Sequence, residues 1–547
     1  MGIKTIFNKK IVLPNYDFSV KYWPIVTQEV EKEIGMMEIK ESTIIQELLK
    51  KCFSKLCKVF EDKIAEQKKV TFFICCQYLH EDSIELWQLQ TQGKTLGINE
   101  EDFASSRRTL KIILEQSTKL ELIGTPNFID ELKQNADDYV EIIEELLYLG
   151  AWCHILSEYI ARSQLFPNSI GLKIEASELV ILTYQPYPEL FGFIFEDIPK
   201  HNSHVALSDS ISLFKDLVKD NFNIGYDDLS SFILQQVHRP VYRFSLSMIE
   251  PLIQTIINET HGDKDFIRSF YLGLTVRKEN CISVEKCFYN NQDLNRHIYR
   301  PILELIVDSK IYNIIGYNKW LESFTTLTTN CFPFGLCPDE WQKFPEIKTF
   351  INKIDNTHDK ILQDPIVKIL QENKIHYEID IESFIQDNGT NINIKNSVGD
   401  IDILFFDKKY KIIYICECKH NRSRFDMNNW RRDYANFKEK YEKQLDRKVQ
   451  WATLNKKVIE DHFKNKFTNS YNESLDDYDI RGIFIINAPT IYMYNGKYRA
   501  FTIYDVEKLL TTGYIDLKFK FTSESTGKSY MIEHPYFDDV ANKFNFS

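Results

Sequence analysis

The chain has 547 residues, 43% apolar, 14% aromatic and 27% charged, and a net charge of −12. That length exceeds one ordinary core and predicts about two to four domains. The acidic total excludes a protein coated with nucleic-acid-binding surface but leaves room for a local basic groove, and no apolar run approaches the roughly 18–20 residues of a membrane span.

The opening stretch, MGIKTIFNKKIVLPNY, lacks the apolar core and small-residue cleavage site of a secretory signal. Ile6 stands where a myristoylation motif needs Ser or Thr. The expectation is a cytoplasmic protein with no membrane contact. Residues 1–340 read as a predominantly helical region for recognition, regulation or oligomerisation, with room for two subdomains. Residues 42–64 and 137–163 repeat apolar side chains with a period near 3.6, and so do 209–222, 228–237 and 300–315. Two runs read as β, VTFFICCQYL (70–79) and ELVILTYQPY (178–187). Nothing in this region resembles a phosphate-binding glycine loop, a zinc-protease helix or a nucleophile elbow.

The eleven cysteines form no disulfide framework, and several sit inside apolar runs as small buried thiols. Cys281 and Cys287 repeat the spacing of Cys331 and Cys337. The four match a thiolate zinc site in number, but five intervening residues is wider than the usual knuckle.

A boundary is expected in 331–360, where CFPFGLCPDEW brings two prolines and a glycine ahead of a shorter helix, EIKTFINKI. Residues 350–547 then read as helix, strands, helix, strands, the order of a compact α/β domain. In NSVGDIDILFFDKKYKIIYICECKHNRSRF, residues 401–406 are apolar except Asp402, and 411–418 form a second run ending at Glu417 and Cys418 before Lys419. Asp407, Lys408 and Lys409 suit the hairpin turn between them. Alternation along a strand puts Glu417 and Lys419 on one face and Cys418 on the other, and Asp400 and Asp402 share a face likewise. In the simplest register Asp402, Glu417 and Lys419 converge at the open end of the hairpin. Carboxylates and an ammonium ending such apolar strands must be solvated, paired or bound to metal. Mg²⁺ takes hard oxygen ligands, and an ammonium beside it serves to polarise a phosphate or orient a water.

Gly399 and Asp402 resemble the G-x-x-D, and Glu417-Cys418-Lys419 the E-x-K, of the PD-(D/E)xK (restriction-endonuclease-like) nuclease superfamily. The resemblance covers roughly residues 355–510. It implies that Asp402 and Glu417 bind Mg²⁺ (Mn²⁺ substituting) with the Cys418 carbonyl, and that Lys419 is the catalytic lysine. It further implies a restriction-endonuclease-like fold with a central mixed sheet and DNA as the substrate.

The superfamily often places another acid on the preceding helix, HDKILQDPIVKILQENK, where the alignment falls near Gln363 or Asp364. Asp364 before Pro365 also reads as an N-cap with proline in the first helical position, and Glu372 lies near the helix end. Asp400 is a further acid for the site, or a residue bonding its own turn. After Lys419, Trp430, Tyr434, Phe437, Tyr441 and Leu445 fall on one helical stripe that packs on the sheet. Arg422, Arg424, Arg431 and Arg432 make this segment basic and suit contacts to backbone phosphate. Gln444 resembles a glutamine that some relatives carry, but the tyrosine four residues later in one branch is replaced by Lys448. Residues 478–494 and 500–510 supply a further strand and a closing helix.

The leading expectation is a metal-dependent DNA endonuclease. Its layout is that of many restriction and anti-phage defence effectors, a fold-level analogy, with a homo-oligomer or protein partner contacted through the helical region. The alternative is a non-catalytic nucleic-acid-binding or scaffold protein on a nuclease-like fold.

Overall fold

The computed structural model describes the chain except residues 1, 36–37, 125–128, 168, 185–186, 190, 193–209, 238–243, 248, 423–425, 468–473, 513–518, 523, 525–526, 528, 533–543 and 547. It divides into two compact units, Met1–Leu182 with Asp209–Asn352, and Thr183–Ser208 with Lys353–Ser547. Among the described residues no helix is long and apolar enough to cross a membrane.

The first unit is built on helices Ser42–Ala65, Val70–Thr91, Glu100–Ser117 and Ile129–Leu165, whose apolar side chains form one core. Two elements differ from the sequence expectation. Residues 70–79 begin a helix, not a strand. That helix is buried on nearly every side, so the polar face that would have revealed a helical period is missing. Residues 300–315 expected as helix form the antiparallel strands Ile302–Val307 and Lys310–Gly316. Burial alternates along the first strand, and Asp308 and Ser309 both take positive φ between them, the backbone of a two-residue hairpin turn. The hairpin is the centre of a sheet with Phe244–Ser247, Glu121–Leu122 and Thr275–Val276. Glu81 closes the helix Tyr317–Asn330 by accepting the backbone N–H groups of Asn318 (2.8 Å) and Lys319 (2.9 Å). The cysteine pairs lie apart: Cys281 and Cys287 face Gln116, whereas Cys331 and Cys337 lie by Tyr226. Among the described residues no three His, Cys, Asp or Glu side chains gather as a metal cage.

In the second unit, helix α1 (Pro345–Glu372, counted here from Lys353) precedes strands β1 (Tyr377–Ile381), β2 (Ile401–Asp407) and β3 (Ile412–Lys419). Helix α2 (Met427–Asn436) passes through a π-type segment, 437–441, into α3 (Glu442–Leu454), and α4 (Lys456–Lys466) follows. Strand β4 (Asp479–Ile486), strand β5 (Arg499–Thr502) and helix α5 (Ile503–Thr512) complete the domain. The sheet runs β1-β2-β3-β4-β5, antiparallel across the first two pairings and parallel across the last two. This is a mixed sheet with helices on both faces.

Alternation along β2 and β3 sorts their side chains. Ile403, Phe405, Ile412, Tyr414 and Cys416 pack with Leu362, Ile366 and Leu370 of α1 and Val506 and Leu509 of α5. The other face meets α3 and α4, where Phe406 lies edge-on to Phe463 at 4.4 Å. Asp364 is not an N-cap: Pro365 sits inside α1 and the helix runs through it. An interior proline costs about 3 kcal/mol; burial of Leu362, Ile366 and Leu370 at about 1.5–3 kcal/mol each offsets it.

Candidate metal-dependent hydrolase site

The β2–β3 register pairs Ile403 with Cys416, and one step further brings Asp402 opposite Glu417. Both carboxylates stand on the face covered by α3 and are only 7% and 5% exposed. Asp402 Oδ2 accepts the backbone N–H of Cys418 at 2.6 Å. Glu417 Oε1 accepts a hydrogen bond from Lys419 Nζ at 2.7 Å. The Lys419 ammonium also lies 5.0 Å from the centroid of the Tyr441 ring, a cation–π arrangement that limits where it can turn. Cys418 points the other way, its thiol buried in the α1 face of the sheet.

A fourth side chain joins them. Lys448 of α3 is 3% exposed; its Nζ donates to Glu417 Oε2 and lies 3.8 Å from Asp402 Oδ1. Its place follows from the close approach of α3 to the sheet. At Gly482 on β4 an added Cβ would meet Val449, Tyr498 and Leu445 at 2.7–2.9 Å, so only glycine lets α3 lie this close to the sheet. Gly399 takes φ +99° just before β2, and a Cβ there would stand 3.5 Å from Lys448 Cε. In the sequence Lys448 stands out only as the residue that replaces a tyrosine four places after Gln444. The available signal was its spacing, two helical turns beyond Tyr441 and on the same face.

The electrostatics follow from burial. Desolvation, and then the neighbouring Glu417 carboxylate, push the Asp402 carboxyl well above the usual carboxylate range, against Lys448, Lys419 and the Cys418 N–H. Burial acts on Glu417 in the same sense, but Lys419 and Lys448 outweigh it and hold that group below its ordinary value. The same burial thus leaves the two carboxylates shifted in opposite directions, Asp402 up and Glu417 down.

The remaining expected residues fall as follows. Asp400 is exposed ahead of β2. Asp364 is exposed on α1, and Glu372 is exposed at its end, 3.9 Å from Lys368. The α1 residue that reaches the site strands is Gln363, buried, whose Nε2 donates to the Asp402 carbonyl (3.1 Å) and to Asp380 Oδ1 (2.7 Å). An amide thus stands where the resemblance implies an acid, and it braces the backbone of Asp402. Arg422 and Arg431 are partly exposed and Arg432 is exposed, while Arg424 lies outside the described residues. Comparison with known protein families, with characterised proteins and with solved structures finds no match for this chain.

The donor set suits a hard divalent cation. Two carboxylates on one face are the protein's usual share of a Mg²⁺ site, with waters and a phosphate completing the shell. The ammonium of Lys419 lies beside them.

Proposed function

We propose that residues 353–512 form a Mg²⁺-dependent phosphodiester hydrolase, an endonuclease of the PD-(D/E)xK kind, acting on DNA. The observation that carries this reading is the convergence of Asp402, Glu417 and Lys419 on one sheet face at the end of a single hairpin. Asp402 and Glu417, with the Cys418 carbonyl, would hold the ion. Bound there, Mg²⁺ (or Mn²⁺) supplies positive charge to the phosphate and acidifies a bound water. Lys419, oriented by Glu417 and Tyr441, donates to a non-bridging phosphate oxygen or orients the attacking water. Arg422, Arg424, Arg431 and Arg432 follow on the chain and suit backbone phosphates, which would give binding that weakens with salt and carries little sequence information. Restriction or anti-phage defence is the setting that the resemblance suggests, with residues 1–340 directing the activity.

The test is cleavage of supercoiled plasmid, single-stranded DNA and RNA by the full chain with Mg²⁺, Mn²⁺ or EDTA. Metal-dependent cleavage that Lys419→Ala removes while DNA binding persists supports the proposal. A second reading, a non-catalytic nucleic-acid-binding protein, draws on the pairing of Lys448 with Glu417, which neutralises charge without a metal. It predicts binding without cleavage under every metal condition.

A further inference from the structure

We infer that Lys448 is the resident counter-ion of this site: its ammonium holds the place between Asp402 and Glu417 that a divalent cation takes, and metal binding must displace it. The inference rests on the metal-dependent reading above and concerns how that metal is admitted.

The carboxylate oxygens are already engaged. Glu417 Oε1 is taken by Lys419 and Oε2 by Lys448, and Asp402 Oδ2 by the Cys418 N–H. Asp402 Oδ1 faces the Lys448 ammonium at 3.8 Å. A hard cation that needs an oxygen from each residue therefore meets Lys448 on both, since it is the ammonium that lies against the two carboxylates at once. With both carboxylates ionised, as metal binding requires, two carboxylates and two ammonium groups make a neutral set. Adding a divalent ion with both lysines in place would leave a net charge of +2 in a site where charges are almost wholly removed from water, which is strongly unfavourable. Withdrawal of one ammonium relieves it.

Of the two lysines, Lys448 is the one whose stem can swing without moving a strand of the site. Helix α3 is fixed against Gly482, so its backbone stays, but Lys448 reaches the carboxylates on a flexible four-carbon stem that runs beside Gly399. Lys419 is held differently, on a strand and over the Tyr441 ring. The site is therefore closed by an internal cation at rest, and its affinity for metal is lower than its two carboxylates alone would confer.

Binding of Mn²⁺ followed by electron paramagnetic resonance, which requires no turnover, tests this on the full-length protein. Lys448→Met and Lys448→Gln are each expected to bind Mn²⁺ about tenfold tighter than wild type or better, and Asp402→Asn is expected to lose the binding. Amine labelling of the wild type gives a second readout: Lys448 should react faster when Mg²⁺ is added. Asp402-dependent binding that is equal or weaker in the folded Lys448 variants would overturn the inference alone, as would Lys448 labelling that Mg²⁺ leaves unchanged or slows. Absence of Asp402-dependent binding in every protein would overturn the metal reading and this inference with it.

Discussion

Replacing Gly482 by alanine adds one methyl group at the point where α3 crosses the sheet. An ideal Cβ there would lie 2.7 Å from Val449 Cγ2, 2.8 Å from Tyr498 Cε1 and 2.9 Å from Leu445 Cγ. None of the three is the loose end of an exposed chain: Leu445 is fully buried, and Tyr498 and Val449 are partly buried beside it. Three sub-van-der-Waals contacts in a close-packed interface cost about 1–3 kcal/mol, through off-rotamer side chains or an outward shift of the helix. For a unit of this size that corresponds to a fall in melting temperature of roughly 2–4 °C per kcal/mol, hence about 4–8 °C for a cost near 2 kcal/mol. Lys448 precedes Val449, so an outward shift also draws its ammonium from Glu417. Differential scanning calorimetry of the full chain reads the first effect, and Mn²⁺ affinity reads the second. A melting temperature within a degree of wild type would refute the claim that this glycine sets the height of α3 above the sheet.

Three further outcomes follow from other contacts. Glu417→Gln leaves the buried Lys448 with only Asp402, 3.8 Å away, as an anionic partner and should cost about 1.5–3 kcal/mol in chemical denaturation, whereas a solvated strand-end glutamate would cost under about 1 kcal/mol. Glu460 on α4 is raised by burial, but Lys464, the Leu475 N–H and Lys457 outweigh this and hold it at about 2. Its folded value is depressed, so its contribution is complete above the ordinary glutamate range and disappears as pH falls towards 2; urea midpoints of wild type and Glu460→Gln should converge across that window, and a constant gap would count against the assignment. Gly316→Ala would drive a methyl group onto the Glu81 carboxylate and Gln77, dislodging the acceptor of two backbone N–H groups. It should destabilise the first unit by about 2 kcal/mol or more while leaving Mn²⁺ binding intact, and an unchanged melting profile would contradict that role for Glu81.

The parts of the site that sequence reading reached are those set by local period. Asp402, Glu417 and Lys419 lie on two adjacent strands, where alternation and a short turn decide which side chains share a face. Lys448 depends on more. The π-type segment at 437–441 resets the phase between α2 and α3, and the approach of α3 depends on a glycine in a strand that comes later in the chain. Neither is a property of a short window. The same limit explains the first unit. The helix from Val70 carries β-branched and aromatic residues because it is enclosed by its neighbours, and the strands from Ile302 and Lys310 place leucine and isoleucine at spacings that suit either period. Only the two residues between them at positive φ mark the hairpin, and Asp and Ser at that turn are weaker signals than Asn-Gly.

The central claim is that the Asp402, Glu417 and Lys419 cluster hydrolyses a phosphodiester with a divalent metal. The most direct measurement is a single-turnover cleavage assay on DNA with the wild type and Lys419→Ala side by side, in Mg²⁺ and in EDTA, at protein concentrations that saturate binding. Cleavage is expected from the wild type in Mg²⁺ only, and none from the variant, which still binds. Cleavage that persists in EDTA, or is equal in the two proteins, would contradict it.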